Sequence, residues 1–198
     1  MKIIGLCGGS GSGKGIASKY FLQLGIPSID TDAVYHDLIN TSSSCVDELV
    51  MAFGDSIIDV NGGVNRKVLS DIVFCDNSKE KLNLLNEITH RHILDKTRDL
   101  INEYRRSGVV AVIVDAPLLF ESGFDRECDF TVAVIADREI RIQRVMNRDG
   151  ISEDAAKKRI DSQTANKELI KRCDYFIENN GDMELLRASV CALYNKII

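Results

Sequence analysis

Eight residues near the start of the chain, GGSGSGKG (8–15), limit the fold more than any other feature of the sequence. They follow an apolar run, IIGLC (3–7), and pass directly into a helical pattern in which Ile16, Ala17, Tyr20, Phe21 and Leu24 recur at three-to-four spacing. Gly8, Gly13 and Lys14 supply the spacing Gly-x-x-x-x-Gly-Lys of a phosphate-binding loop. The spacing alone is weak, arising by chance on the order of once in twenty chains of ordinary composition. A buried-type strand before it and a helix after it make the reading specific, because only then do loop amides and a helix N-terminus converge on an anion. The backbone from Gly9 through Ser10, Gly11, Ser12 and Gly13 to Gly15 is then expected to bind the phosphates of a nucleotide, and Lys14 to follow the transferred phosphoryl group. Gly15 departs from the pattern: Ser or Thr belongs there, with its hydroxyl on Mg²⁺. The amide of Gly15 remains, so weaker metal binding is expected rather than loss of nucleotide binding.

Two further apolar runs, VVAVIVDA (109–116) and FTVAVIA (130–136), are rich in Val and Ile and do not alternate with polar residues. Such runs suit strands covered on both faces, as in a parallel sheet between helices. Shorter strands are expected at Ser28–Asp30 and Tyr175–Glu178, which makes five. Helical patterns fill the intervals: to Leu24 with Gly25 as cap, from about Asp76 to Ser107 with a break near His90, Glu139–Asp149, Ser152–Gln163, and Asp182–Lys196. The expected fold class is α/β, a five-stranded parallel sheet of the phosphate-loop NTPase type flanked by helices. Its core would comprise 1–41, 108–138 and 173–198, with a helical insertion at 42–107 and a smaller helical excursion at 139–172.

Composition excludes several other classes. The net charge of −5 argues against a general nucleic-acid binder. No apolar run approaches the roughly 20 residues of a membrane span, and the segment before the first glycines is too short for a signal peptide. A cytoplasmic location is therefore expected. The six cysteines are scattered, the nearest two (Cys173 and Cys191) being 18 positions apart, so no local Cys-x-x-Cys signature exists. They read as reduced thiols.

Carboxylates and arginines supply the remaining chemistry. Asp30 and Asp32 follow the second strand, where ligands of open parallel sheets bind. One is expected to cap the next helix and the other, preferably Asp32, to deprotonate an acceptor hydroxyl. Asp115 ends the strongest strand and is the first candidate for Mg²⁺, through a water; Asp32 is the second. Leu118, Phe120 and Glu121 follow as cleft-lining candidates. Arg138, Arg141, Arg144 and Arg148 lie on one helix and Arg159 on the next. Such a run is usually a solvated face, but beside a polyphosphate arginines stabilise transferring charge.

IGLCGGSGSGK, IDTD, GGVNRKVLSDIVF, LNEITHRHI, VIVDAPLLFESG, RVMNRDGISEDAAKKRIDSQ and CDYFIENNG occur in that order along nearly the whole chain. Together they resemble the dephospho-CoA kinase family. The resemblance implies a nucleotide core, a CoA-binding helical region at 42–107 and a lid within 139–172. It implies transfer of phosphate from ATP, with Mg²⁺, to the ribose 3′-hydroxyl of dephospho-CoA. Asp32 then falls on the base, Lys14 on the phosphate lysine, Arg144 on a lid arginine and Arg148 and Arg159 on further ATP contacts. Arg66 and His90 fall on substrate positions, with Leu118, Phe120 and Glu121, and Asn179 and Gly181 on the stretch beside the adenine. Small molecules would be the partners of a monomer or weak oligomer, without nucleic acid or membrane. The family has Ser or Thr in place of Gly15 and usually Pro in place of Arg91. Two alternatives stand beside this one: another small-molecule kinase of the same fold, or a kinase-derived nucleotide-binding protein impaired at Gly15.

Overall fold

The computed structural model describes residues 1–41, 43–75 and 79–198. Two compact units divide the chain, residues 1–29 with 103–198, and residues 30–102.

The first unit carries the sheet. β1 (Lys2–Cys7), β2 (Ser28–Asp30), β3 (Ala111–Asp115), β4 (Phe130–Ile135) and β5 (Tyr175–Glu178) lie in the order β2-β3-β1-β4-β5. The ladders of β1 with β3 and β4, and of β4 with β5, are parallel. β1 is thus central, and the loop leaving its carboxyl end emerges between the ends of β3 and β4, where open α/β sheets bind ligands. Ile4 and Leu6 of β1, Ile113, Val132, Val134 and Ile177 pack with Ala17 and Phe21 of α1 (Lys14–Gln23) and with Leu186 and Val190 of α9 (Met183–Ile197). All five residues of β3 are buried, which explains why its sequence shows no alternation. Gly25 follows α1 at φ 84°, the left-handed position that ends helices.

Residues 139–172, expected as two helices, form three. α6 (Arg138–Asp149) ends at Gly150 (φ 64°), α7 (Glu153–Asp161) is capped by Ser152, and α8 (Asn166–Arg172) is a further short helix. Ile142 and Val145 of α6 close on Ala156 and Ile160 of α7 as a small core of their own.

The second unit is helical: α2 (Thr31–Asn40), α3 (Ser44–Phe53), α4 (Arg66–Phe74) and α5 (Lys79–Arg106), the last reaching beyond the unit. Ile39, Cys45, Leu49, Ile57, Leu69 and Ile88 belong to its core. The break expected near His90 does not occur, since α5 runs through it without interruption. Arg91 keeps the amide that a proline would remove, and its guanidinium pairs with Glu48 on α3. The expected helix start at Asp76 and the expected boundary at Ser42 lie outside the described residues.

Candidate active site

The phosphate loop is held in shape by side chains from far along the chain. Arg141 is buried at 4 % exposure; its Nε donates to the Ser10 carbonyl at 2.9 Å and its Nη2 to Gln163 Oε1 at 2.7 Å. The same Gln163 oxygen accepts from the Ser10 amide at 2.9 Å, and Gln163 Nε2 donates to Ser10 Oγ at 3.0 Å. Arg144 Nη1 donates to the carbonyls of Gly11 (3.3 Å) and Asn179 (3.0 Å). Asn179 Nδ2 donates to the Ser12 carbonyl at 2.7 Å. These donors satisfy carbonyls on the outer side of the loop and leave its backbone little freedom. The glycines are required by this proximity. A Cβ on Gly11 (φ 77°) would stand 2.6 Å from the Arg141 carbonyl oxygen, and one on Gly13 (φ 94°) would overlap the Asn179 amide.

Gly13 is also the N-cap of α1. No side chain caps this end and no acid lies in the first turn, so the helix start presents backbone N–H groups suited to an anion. Lys14, the first helical residue, forms an ion pair with Asp115 at the end of β3. Asp115 is 6 % exposed. The structure therefore brings together the loop, Lys14, Asp115, Arg144 and Asn179, five elements that are scattered in the sequence.

Gly15 lies in helical backbone, and a Cβ there would meet nothing within 4 Å. No packing requirement imposes glycine at this position. For Mg²⁺, Asp115 offers a hard carboxylate oxygen beside the loop lysine and Gly15 offers none. Among the described residues, no group of three or more His, Cys, Asp and Glu side chains could hold a metal. Such a donor set fits a cation that takes most of its ligands from phosphate and water.

The two aspartates after β2 divide their duties. Asp30 caps α2, accepting from the amides of Asp32 (2.9 Å) and Ala33 (3.2 Å). The exposed Asp32 carboxylate makes no hydrogen bond or ion pair among the described residues. In the same unit Arg66 opens α4 in the field of the Tyr35 phenol, and His90 lies half-buried in α5.

Beside the loop lies a cleft of about 210 Å³, lined by Cys7, Gly8 and Gly9, by Leu118, Phe120 and Glu121, and by Gln163 with its neighbours. Arg172 stacks over the Phe120 ring, 4.0 Å from its centroid. Leu118, Phe120 and Glu121 thus line one cleft. Arg148 and Arg159 are not placed on the loop, because both pair with Asp149. Hydrogen bonds from these two guanidinium groups hold the Asp149 carboxyl at about 2. Gly181 follows Asn180, whose Oδ1 accepts from the Asp137 amide at 2.8 Å.

Gln163 carries no role in the sequence reading, although it ends the RDG-to-Q block. Its signal was only its place in that block, since an isolated Gln has no spacing rule. Helical spacing puts Arg141 on a basic face and does not reveal its burial against the loop.

A central strand that runs through a glycine-rich loop into an uncapped helix, with lysine, aspartate and arginine around it, defines a phosphate-loop enzyme of the small-kinase class. The chain matches the family model CoaE, dephospho-CoA kinase, over residues 2–184. It belongs to the dephospho-CoA kinase family. It is 42 % identical to the dephospho-CoA kinase of Fusobacterium nucleatum over 92 % of this chain and 91 % of that one. Among solved structures, TT1252 from Thermus thermophilus superposes with a TM-score of 0.80 at 30 % identity, covering 100 % of this chain and 98 % of that one. Dephospho-CoA kinase from Campylobacter jejuni does so with a TM-score of 0.73 at 26 % identity, covering 98 % and 96 %. The chain is accordingly an enzyme, a phosphotransferase.

Proposed function

We propose that this chain transfers the γ-phosphoryl group of ATP to the ribose 3′-hydroxyl of dephospho-CoA, releasing CoA and ADP. The observation that supports this most strongly is family membership over nearly the whole chain, joined to a phosphate loop whose shape is fixed from behind.

In this reading the loop amides and the start of α1 bind the β- and γ-phosphates, while Lys14 exchanges Asp115 for phosphate oxygens. Arg144 uses one nitrogen on carbonyls of the protein, and its Nε and Nη2 remain able to meet charge developing on the transferred group. Asp32, relieved of capping by Asp30, accepts the proton of the 3′-hydroxyl and orients it for in-line attack. Leu118, Phe120 and Glu121 receive part of the acceptor, Arg66 and His90 contribute from the helical unit, and Gly181 lies along the adenine. Asn179 acts on ATP through the loop. Arg148 and Arg159 belong to a lid spanning 139–172. Asp115 is the residue that would hold Mg²⁺, which would supply charge neutralisation on the phosphates when bound. We assign 42–107 as the CoA-binding region and the reaction to a cytoplasmic monomer or weak oligomer. Among the described residues no helix is long and apolar enough to cross a membrane.

An ADP-release assay with dephospho-CoA, set against nucleosides, nucleotides and shikimate, tests the reading. Efficient turnover of dephospho-CoA alone is expected; preference for another acceptor, or ATP binding without transfer, would overturn it. Asp32→Asn should lower kcat by roughly 10²–10⁴ with ATP affinity retained.

A further inference from the structure

Cys7 ends β1, immediately before the first glycine of the loop, and Cys173 follows the last turn of α8, two residues before β5. They are 166 residues apart in sequence, yet their sulfurs lie 3.5 Å from each other, in van der Waals contact. All six cysteines are free thiols. Cys75 and Cys128 direct their S–H groups to backbone carbonyls instead.

The two members of the pair differ in a way that suits stepwise oxidation. Cys7 is 1 % exposed and its thiol pKa is pushed up by the hydrogen bond to Cys173 and by burial. Cys173 is half-buried, and the hydrogen bond from Cys7 holds its thiol below the ordinary value. The more exposed sulfur of the pair, that of Cys173, is the one a peroxide reaches first, and its thiolate is the form that attacks.

We propose that Cys7 and Cys173 form a modification site at the root of the phosphate loop, where a peroxide converts the two thiols into a reversible disulfide that lowers kinase activity. The kinase part of this statement rests on the function proposed above. The Cys173 thiolate attacks a peroxide oxygen, the O–O bond breaks, and the departing hydroxide takes a proton to leave as water. Cys7 then attacks the sulfur of the resulting sulfenic acid; its proton and the hydroxyl group depart as a second water. Two thiols and one hydrogen peroxide give one disulfide and two waters.

The bond requires the sulfurs to approach from 3.5 Å to about 2.05 Å. Neither end has slack. Cys7 is in register with Ala133 of β4, and a Cβ on Gly8 would already overlap the Val134 carbonyl. Next to Cys173, the Asp174 carboxylate accepts from the Thr131 amide (2.8 Å) and hydroxyl (2.7 Å), which anchors that segment to β4. The displacement therefore passes into Gly8 and the cleft wall that Cys7 helps to form.

The reduced full-length chain, treated with hydrogen peroxide and then alkylated, tests this. Expected are an intact-mass loss of about 2 Da before alkylation, a Cys7–Cys173 cross-linked peptide after it, and, in the oxidised protein without alkylation, at least roughly fivefold losses of kinase rate and ATP affinity that dithiothreitol reverses. Cys173→Ser should match the reduced parent before treatment and keep its rate and ATP affinity after it. Alkylation of both thiols with no cross-linked peptide would overturn the proposal. So would a cross-link that leaves ATP affinity unchanged, or equal loss in Cys173→Ser. The peptide map and ATP affinity do not depend on the acceptor, so failure of the proposed function would be seen separately, in the reduced enzyme's inactivity toward dephospho-CoA.

Discussion

Arg141 and Arg144, on the inner turns of α6, donate to backbone carbonyls of the phosphate loop, whereas Arg148, one turn beyond Arg144, meets the carboxylate of Asp149 at the surface. All three share a helical face in the sequence. What separates them is the acceptor each finds and how much water remains around it. Buried guanidinium–carbonyl bonds are costly to break because the partners would be left unsatisfied. Exposed ion pairs contribute little and exchange readily. One helix thus carries a fixed half that shapes the loop and a loosely tied half suited to change partners when a nucleotide arrives.

The largest effect is expected where the fixed half is broken. Arg141→Met strands the Ser10 carbonyl and removes a partner of Gln163, at a cost of about 2–4 kcal/mol. The thermal midpoint should fall by roughly 5–15 °C and kinase activity with it. An unchanged midpoint would show that the loop holds its shape without α6. Arg144→Met sharpens the division, because its guanidinium is only partly committed to the protein. We expect kcat to drop by about 10²-fold with a much smaller change in midpoint; the reverse pattern would move Arg144 into the purely structural half. Asp149→Asn frees Arg148 and Arg159 and should change the KM for ATP by less than about threefold. The Asp149 carboxyl is depressed from 3.8 to about 2. Its pairing therefore contributes fully above pH 3.8 and is lost as pH falls toward 2, so the effect of Asp149→Asn should be constant from neutral pH down to about 5. A KM effect that varies within that range would point to another titrating partner. Smallest in its effect on stability is Gly15→Ser, in the first turn of α1. Its Cβ enters open space, so stability should hardly move while the Mg²⁺ needed for half-maximal rate falls about two- to fivefold. An unmoved Mg²⁺ dependence would mean that another group already serves there.

The sheet was legible because its strands are covered on both faces and their sequences carry uninterrupted Val and Ile. The phosphate loop was legible because its spacing and its flanks agree. Harder to read were contacts that depend on two distant segments meeting. That Asp30 rather than Asp32 caps α2 follows from which carboxylate faces the amides, a choice that two acids two residues apart leave open. The unbroken α5 fits Arg91, which has both the backbone amide and a partner, Glu48, to continue the helix. Gln163 gives no sequence signal of its contact with Ser10, because amides have neither periodicity nor charge.

Asn179 reaches the Ser12 carbonyl across 167 residues, and Gln163 and Arg141 reach Ser10 across 153 and 131. The loop leaves the ribosome long before the segments that give it its final contacts. At about 5–20 residues per second, roughly 8–35 s separate the synthesis of Ser12 from that of Asn179. During that interval the nascent chain has the loop sequence without the loop's shape. Nucleotide capture should therefore begin only after Asn179 has emerged, and fragments ending before β5 should bind ATP poorly although they contain every residue of GGSGSGKG.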